Sequence, residues 1–135
     1  MHRQLDEKTL VSGQISPDDI AQLRRHGVTM IVNNRPDGED PGQPPSKEIE
    51  AAAEAAGMEY RFIPIRRGIG PSDVEAMQEA YRAVDDGKML AFCRTGNRSA
   101  LAWAVARSTD GVARDELERC AASVGVDLAP VAHLL

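Results

Sequence analysis

The chain has 135 residues, enough to bury one real core, with 42% hydrophobic and 27% charged residues, as in an ordinary soluble globular domain. Aromatics make up only 4%, so the interior is expected to be aliphatic and rich in alanine. A formal charge of -5 speaks against nucleic-acid binding, and it means that any anion site has to gather its positive charge locally.

Residues 1–8 lack the apolar stretch of a signal peptide, and no run approaches the roughly 18 apolar residues of a membrane span. Neither secretion nor a membrane is therefore expected. The two cysteines, Cys93 and Cys120, make no disulfide framework and suit a reducing cytoplasm. His2, His26 and His133 are far apart in sequence and show no metal-ligand spacing, so no metal and no cofactor are expected.

Taken in chain order, residues 9–13 read as a short strand closing on Gly13. Ser16, Pro17, Asp18 and Asp19 then have the form of a helix start: a capping serine, a proline at the first position, and acids at the positive end of the helix dipole. Gly27 stops that helix. Residues 28–33 form a compact β-branched run, the pattern of a buried strand. Residues 34–45, rich in proline, glycine and acid, are a loop. A second, alanine-sided helix runs from Ser46 to Gly57, and residues 60–65 form a strand whose Pro64 prefers an edge or an end. Ser72 and Glu75 are spaced as a capping box before Val74, Met77, Tyr81 and Val84, which recur at helical intervals. Residues 88–92 are the next strand and end at Cys93. A helix begins near Arg98, and residues 112–124 and 127–134 read as two terminal helices, with Cys120 in the core beside Leu117, Ala121 and Val124. The alternation predicts an α/β layer fold with a largely parallel sheet, spanning residues 1–135 as one domain. Cys93 then falls at the carboxyl end of a strand, where such folds bind ligands.

The loop from Cys93 to Arg98 carries the chemistry. Gly96 allows a turn that other residues resist, so that successive N–H groups can form an anion nest at a helix N-terminus. The same field favours a thiolate on Cys93. Arg98 adds a planar cationic fork suited to a tetrahedral oxyanion, and Ser99 is placed to donate to the sulfur. Cys93, Arg98 and Ser99 are thus the expected catalytic residues, with Arg94, Thr95, Gly96 and Asn97 lining the anion site. Arg35, at the end of a strand, and Arg66 and Arg67, after the strand at 60–65, are candidates to supply further positive charge. Asp37 and Asp73 are read as turn and helix-start residues.

Residues 93–100, Cys-Arg-Thr-Gly-Asn-Arg-Ser-Ala, resemble the active loop of rhodanese-type sulfurtransferases. Residues 11–15, 32–39 and 63–65 instead resemble the phosphatase-like domain family of beta-lactamase-hydrolase-like proteins, over roughly residues 9–108. This second resemblance implies the three-layer fold of dual-specificity protein tyrosine phosphatases, a central, mostly parallel sheet flanked by helices.

Two departures bear on the reaction. Cysteine phosphatases carry five residues between cysteine and arginine, where this loop has four, and they supply an aspartate as general acid, where this chain has residues 66–71 without one. Sulfur transfer needs no such acid. The sequence therefore predicts a sulfurtransferase first: sulfane sulfur passes from thiosulfate or a persulfide through a Cys93 persulfide to cyanide or a thiol such as glutathione. A phosphatase acting on phosphate esters comes second. A non-catalytic module that binds anions or persulfides, or docks to a persulfide-oxidising partner enzyme, comes third.

Overall fold

The computed structural model describes residues 2–135. Five strands form one sheet in the order β1-β2-β5-β3-β4: β1 (Arg3–Gln4), β2 (Thr9–Ser12), β3 (Val28–Asn33), β4 (Glu59–Phe62) and β5 (Lys88–Phe92). β1 is antiparallel to β2, and the other neighbours run parallel. The two-residue β1 has no signal in the sequence, because so short a segment shows no period.

Strand alternation sorts the apolar side chains onto two faces. Leu10, Ile31, Leu90 and Phe92 point to the side covered by α1 (Ile20–Arg25) and α2 (Ser46–Ala55), through Ile20, Leu23, Ile49 and Ala53. Val11, Met30, Val32, Met89 and Ala91 face α3 (Pro71–Ala83), α4 (Asn97–Thr109) and α5 (Arg114–Ser123). The mostly parallel, helix-flanked sheet is the architecture expected from the sequence.

α4 lies deepest, with every residue from Ser99 to Ala106 buried. Its alanines let it sit close to the sheet, which explains how so few aromatic residues suffice for this core. The chain steps from β3 out to β4 and then back to β5 on the other side of β3, and its helices change faces at that return. Cys93 follows β5 at this reversal, the customary site of ligand crevices in α/β sheets.

Several boundaries differ from the sequence reading. β4 ends at Phe62, so Ile63, Pro64 and Ile65 belong to the following loop, although β4 is indeed an edge strand. α3 begins at Pro71 rather than at a Ser72 cap. The Asp73 carboxylate, not Glu75, accepts the N–H of Gly70 at 2.9 Å, because Pro71 lacks an N–H and suits the first helical position. Residues 127–134 yield a 3-10 segment, Ala129–Leu134, in place of a helix. Cys120 is half-buried at the margin of the core rather than inside it, and its partial burial raises its thiol pKa. No helix among the described residues is long and apolar enough to cross a membrane.

Candidate active site

Residues 93–98 leave β5, turn at Gly96 and enter α4. Gly96 has φ of 96°, a left-handed conformation costly for any other residue, and its backbone packs against Ser12. Gly13 on the facing turn is equally constrained, since a Cβ there would lie 2.9 Å from the Arg94 carbonyl oxygen. The ends of β2 and β5 therefore grip the loop from one side.

Cys93 is 1% exposed, and its sulfur accepts the backbone N–H of Gly96 at 3.0 Å. Among the described residues, the N–H groups of Arg94, Thr95, Arg98 and Ser99 meet no acceptor. Left unpaired in the loop and at the N-terminus of α4, they are the donors available to an anion bound there.

Arg98 extends from the first turn of α4, and both ends of its fork are held. Nη1 and Nη2 each donate to a Glu39 carboxylate oxygen at 2.8 Å, and Nη1 also donates to the Ile65 carbonyl at 2.9 Å. The Glu39 pair raises the Arg98 pKa most. Cys93 adds smaller raising effects, through its charge and through side-chain hydrogen bonding, which places the guanidinium within reach of the sulfur. Arg98 is thus beside the thiol but turned toward a carboxylate that occupies the fork as an oxyanion would.

Arg35, a candidate to supply positive charge to the site, is buried and already paired. It is 3% exposed and donates to Glu39 at 2.9 Å, Asp40 at 2.6 Å and Gln14 at 3.0 Å. Glu39 is therefore shared by two arginines, and first Arg98, then Arg35, pull its carboxyl down to about 2 against the opposing effect of burial. A depressed carboxyl stabilises the fold above its unfolded pKa, near ~4.3, and loses that contribution as pH falls through the folded value. Glu39→Gln is accordingly expected to lower stability by about 1–2 kcal/mol between pH 5 and 7, allowing for partial exposure of the pair. The difference from wild type should shrink steadily toward pH 2 in urea-unfolding series. A gap that stays constant down to pH 2 would mean that the charge of Glu39 contributes nothing.

The remaining expected residues divide. Ser99 does not donate to the sulfur. Its buried hydroxyl donates to Asn34 Oδ1 at 2.8 Å, and the Asn34 backbone joins the end of β5 to the loop after β4, its N–H donating to Phe92 O and its carbonyl accepting the Ile65 N–H. Thr95 Oγ1 accepts the Asn97 N–H at 3.3 Å, and both residues are exposed. Arg94 is exposed, 3.7 Å from Asp40. Arg66 and Arg67 are exposed and form no ion pair among the described residues, and Arg67 borders a cavity with Pro130 and His133 of the C-terminal segment rather than the cysteine loop. Asp37 accepts the Ser46 N–H at 2.7 Å and so caps α2.

Asn34 and Glu39 were not singled out as site residues from the sequence. The available signal was an acid six residues before the Pro45 end of a loop that also carries Arg35, in a protein whose expected anion site needs cations. Such a pairing is invisible without the 59-residue separation being closed in space.

Residues 2–110 match the family described as beta-lactamase hydrolase-like protein, phosphatase-like domain. Curated relatives include beta-lactamase hydrolase-like proteins of Xylella fastidiosa strain Temecula1, 37% identical over 126 residues, and of Agrobacterium fabrum strain C58, 35% identical over 128 residues. Each alignment covers 92% of this chain but only 29% of the relative, so the chain spans under a third of their length. Among solved structures, a candidate phosphatase from Neisseria meningitidis Z2491 is 33% identical, covers 97% of this chain and 94% of its own, and superposes with a TM-score of 0.78. A candidate phosphatase from Shewanella putrefaciens CN-32, 19% identical, covers 98% and 82% with a TM-score of 0.75. Tk-PTP in its active form, 21% identical, covers 92% and 84% with a TM-score of 0.67. The last two speak for the fold alone, which is that of the tyrosine phosphatase-like proteins. On sequence and architecture together, this chain belongs to the phosphatase-like domain family of the beta-lactamase hydrolase-like proteins.

Proposed function

We propose that this chain is a cysteine-dependent phosphatase acting on small phosphate esters with acidic leaving groups. The observation that carries the reading is the Cys93 sulfur under the Gly96 N–H at the N-terminus of α4, with Arg98 beside it, in a chain one-third identical to a candidate phosphatase along nearly its whole length. The Cys93 thiolate attacks phosphorus, the P–O bond to the leaving group breaks, and the leaving group departs with the electron pair. Water then attacks the phosphocysteine, releasing phosphate and restoring the thiolate. The loop amides and Arg98 balance the charge on the equatorial oxygens in both steps.

The restriction to acidic leaving groups follows from the carboxylates. Glu39 is held ionised by Arg98 and Arg35, Asp40 pairs with Arg35 and lies 3.7 Å from Arg94, and Asp37 and Asp73 cap helices, so each of these carboxylates already has a partner. A leaving oxygen without a proton donor has to depart as an anion. Rates should therefore fall steeply along a series from nitrophenyl to phenyl to alkyl phosphates, with alkyl esters turned over at least about 100-fold more slowly, the factor a general acid usually supplies. Similar rates across the series would indicate a proton donor and remove this restriction.

Sulfur transfer, placed first on the sequence, becomes the second reading. It is favoured by the four-residue spacing from Cys93 to Arg98 and by the lack of an acid in residues 66–71, and it would make a Cys93 persulfide from thiosulfate. A side-by-side assay decides: thiosulfate with cyanide or glutathione against nitrophenyl phosphate, on wild type and Cys93→Ser. Phosphate release that depends on Cys93, with no thiocyanate formed, supports the phosphatase. Thiocyanate without phosphate release overturns it.

A further inference from the structure

We propose that Arg3 is a positioning residue for the Cys93 thiolate, acting through the Thr95–Gly96 peptide; the proposal rests on the reading of Cys93 as nucleophile. β1 pairs with β2 so that Arg3 lies opposite Val11, and its side chain reaches past the end of the sheet to the back of the cysteine loop. Nη2 donates to the Thr95 carbonyl oxygen at 3.2 Å, and Nη1 donates to the Val124 carbonyl at the end of α5. Nη2 is close enough that a Cβ on Gly96 would come within 2.7 Å of it.

The carbonyl of Thr95 and the N–H of Gly96 are the two ends of one peptide unit. One end accepts from the Arg3 guanidinium, and the other donates to Cys93 Sγ at 3.0 Å. A cation on the oxygen draws electron density through the peptide and makes its N–H a stronger donor, as in any polarised hydrogen-bond chain. It also fixes the orientation of the peptide beside a glycine whose φ of 96° imposes little orientation by itself.

The electrostatic surroundings single Arg3 out. Arg98 and Arg35 share Glu39, and Arg35 and Arg94 lie against Asp40, so the arginines on the mouth side of the loop are substantially neutralised. Both Arg3 partners are carbonyls, and among the described residues it pairs with no carboxylate. The flanking Ser12–Gly13 turn brings no charged side chain, Glu118 and Asp127 line a cavity beside Gly125 without an ion pair to Arg3, and the neighbouring His2 sits edge-on against His26. In a protein of net charge -5, the unpaired cation behind the nucleophile comes from the short β1 strand.

The test is the pH profile of Cys93 alkylation by iodoacetamide on the full chain, in a Cys120→Ser background so that only one thiol reports. Arg3→Met is expected to move the midpoint to higher pH and slow alkylation about tenfold at pH 7, the equivalent of one pH unit, while leaving the high-pH plateau rate unchanged. Arg3→Lys should recover most of the loss, since it restores charge at Thr95 even without reaching Val124. Should Arg3→Met not fold, Arg3→Gln keeps a donor without the charge and should shift the midpoint in the same direction. A profile that superimposes on wild type, or a plateau that falls with the midpoint unmoved, would overturn the proposal, because a bracing role alone changes access rather than titration. A wild type whose Cys93 reacts only in the ordinary thiol range sinks the nucleophile reading itself. A reactive wild type with an indifferent Arg3 variant sinks only this inference.

Discussion

Cys93→Ser is expected to lower nitrophenyl phosphate turnover by about 10⁴-fold or more, the scale at which removal of a nucleophile acts, with little loss of stability. The substitution is nearly isosteric, and the serine oxygen keeps an acceptor opposite the Gly96 N–H that Cys93 now satisfies. What is lost is the intrinsically stronger thiol nucleophile, and a serine hydroxyl in this loop has no base beside it among the described residues. The two quantities separate cleanly in parallel measurements of initial rate and urea midpoint. A variant that retains more than a few per cent of the activity would place the nucleophile elsewhere in the chain. A variant that loses activity only in proportion to its unfolded fraction would make Cys93 a packing residue at a strand end.

The second large effect is expected at Arg98. Arg98→Lys keeps a positive charge but gives up the planar fork, and turnover should fall about 10²- to 10³-fold, the usual cost of one preorganised donor to a developing oxyanion. The present geometry adds a second consequence. Both nitrogens of the fork are bonded to Glu39, so a bound phosphate has to share or displace that carboxylate. Glu39 also loses its strongest partner in the variant, and its carboxyl should move up from about 2, with Arg35 left as its remaining support. Kinetics at neutral pH report the first effect, and the acid limb of the stability profile reports the second. Full activity in Arg98→Lys would show that the amide donors alone carry the anion.

The fold was legible wherever a local pattern is enforced by burial on both sides. The runs at 28–33 and 88–92 are strands because their residues are packed between two helical layers, and the turn to α4 announces itself through Gly96 between a strand and a helix. The site was only half legible. Cys93, Gly96 and Arg98 lie within six residues, so their convergence is a property of one turn. What sequence could not supply is what that turn leans on. Ser99 looked like a donor to the sulfur, but the helix rotates its hydroxyl toward Asn34, which ties α4 to the ends of β3 and β5. Arg35 was a candidate to lend positive charge to the anion site, yet it is buried with Gln14, Glu39 and Asp40 as its partners. Arg66 and Arg67 looked like replacements for the acid loop and instead remain in solvent. Each of these outcomes depends on contacts between segments distant in the chain, and spacing along a sequence carries no information about them.

The same distinction governs the choice between reactions. The four-residue spacing and the missing acid are local features and pointed to sulfur transfer, whereas the family and the architecture are phosphatase-like. Both require the same ionised sulfur, so the intermediate it forms is the most direct discriminant. Wild type mixed with nitrophenyl phosphate, quenched in acid within the first turnovers and digested for mass spectrometry, should yield the Cys93 peptide carrying one phosphoryl group, absent from Cys93→Ser. An unmodified Cys93 peptide during active turnover, or one that gains sulfur from thiosulfate and never phosphate from the ester, would contradict the account.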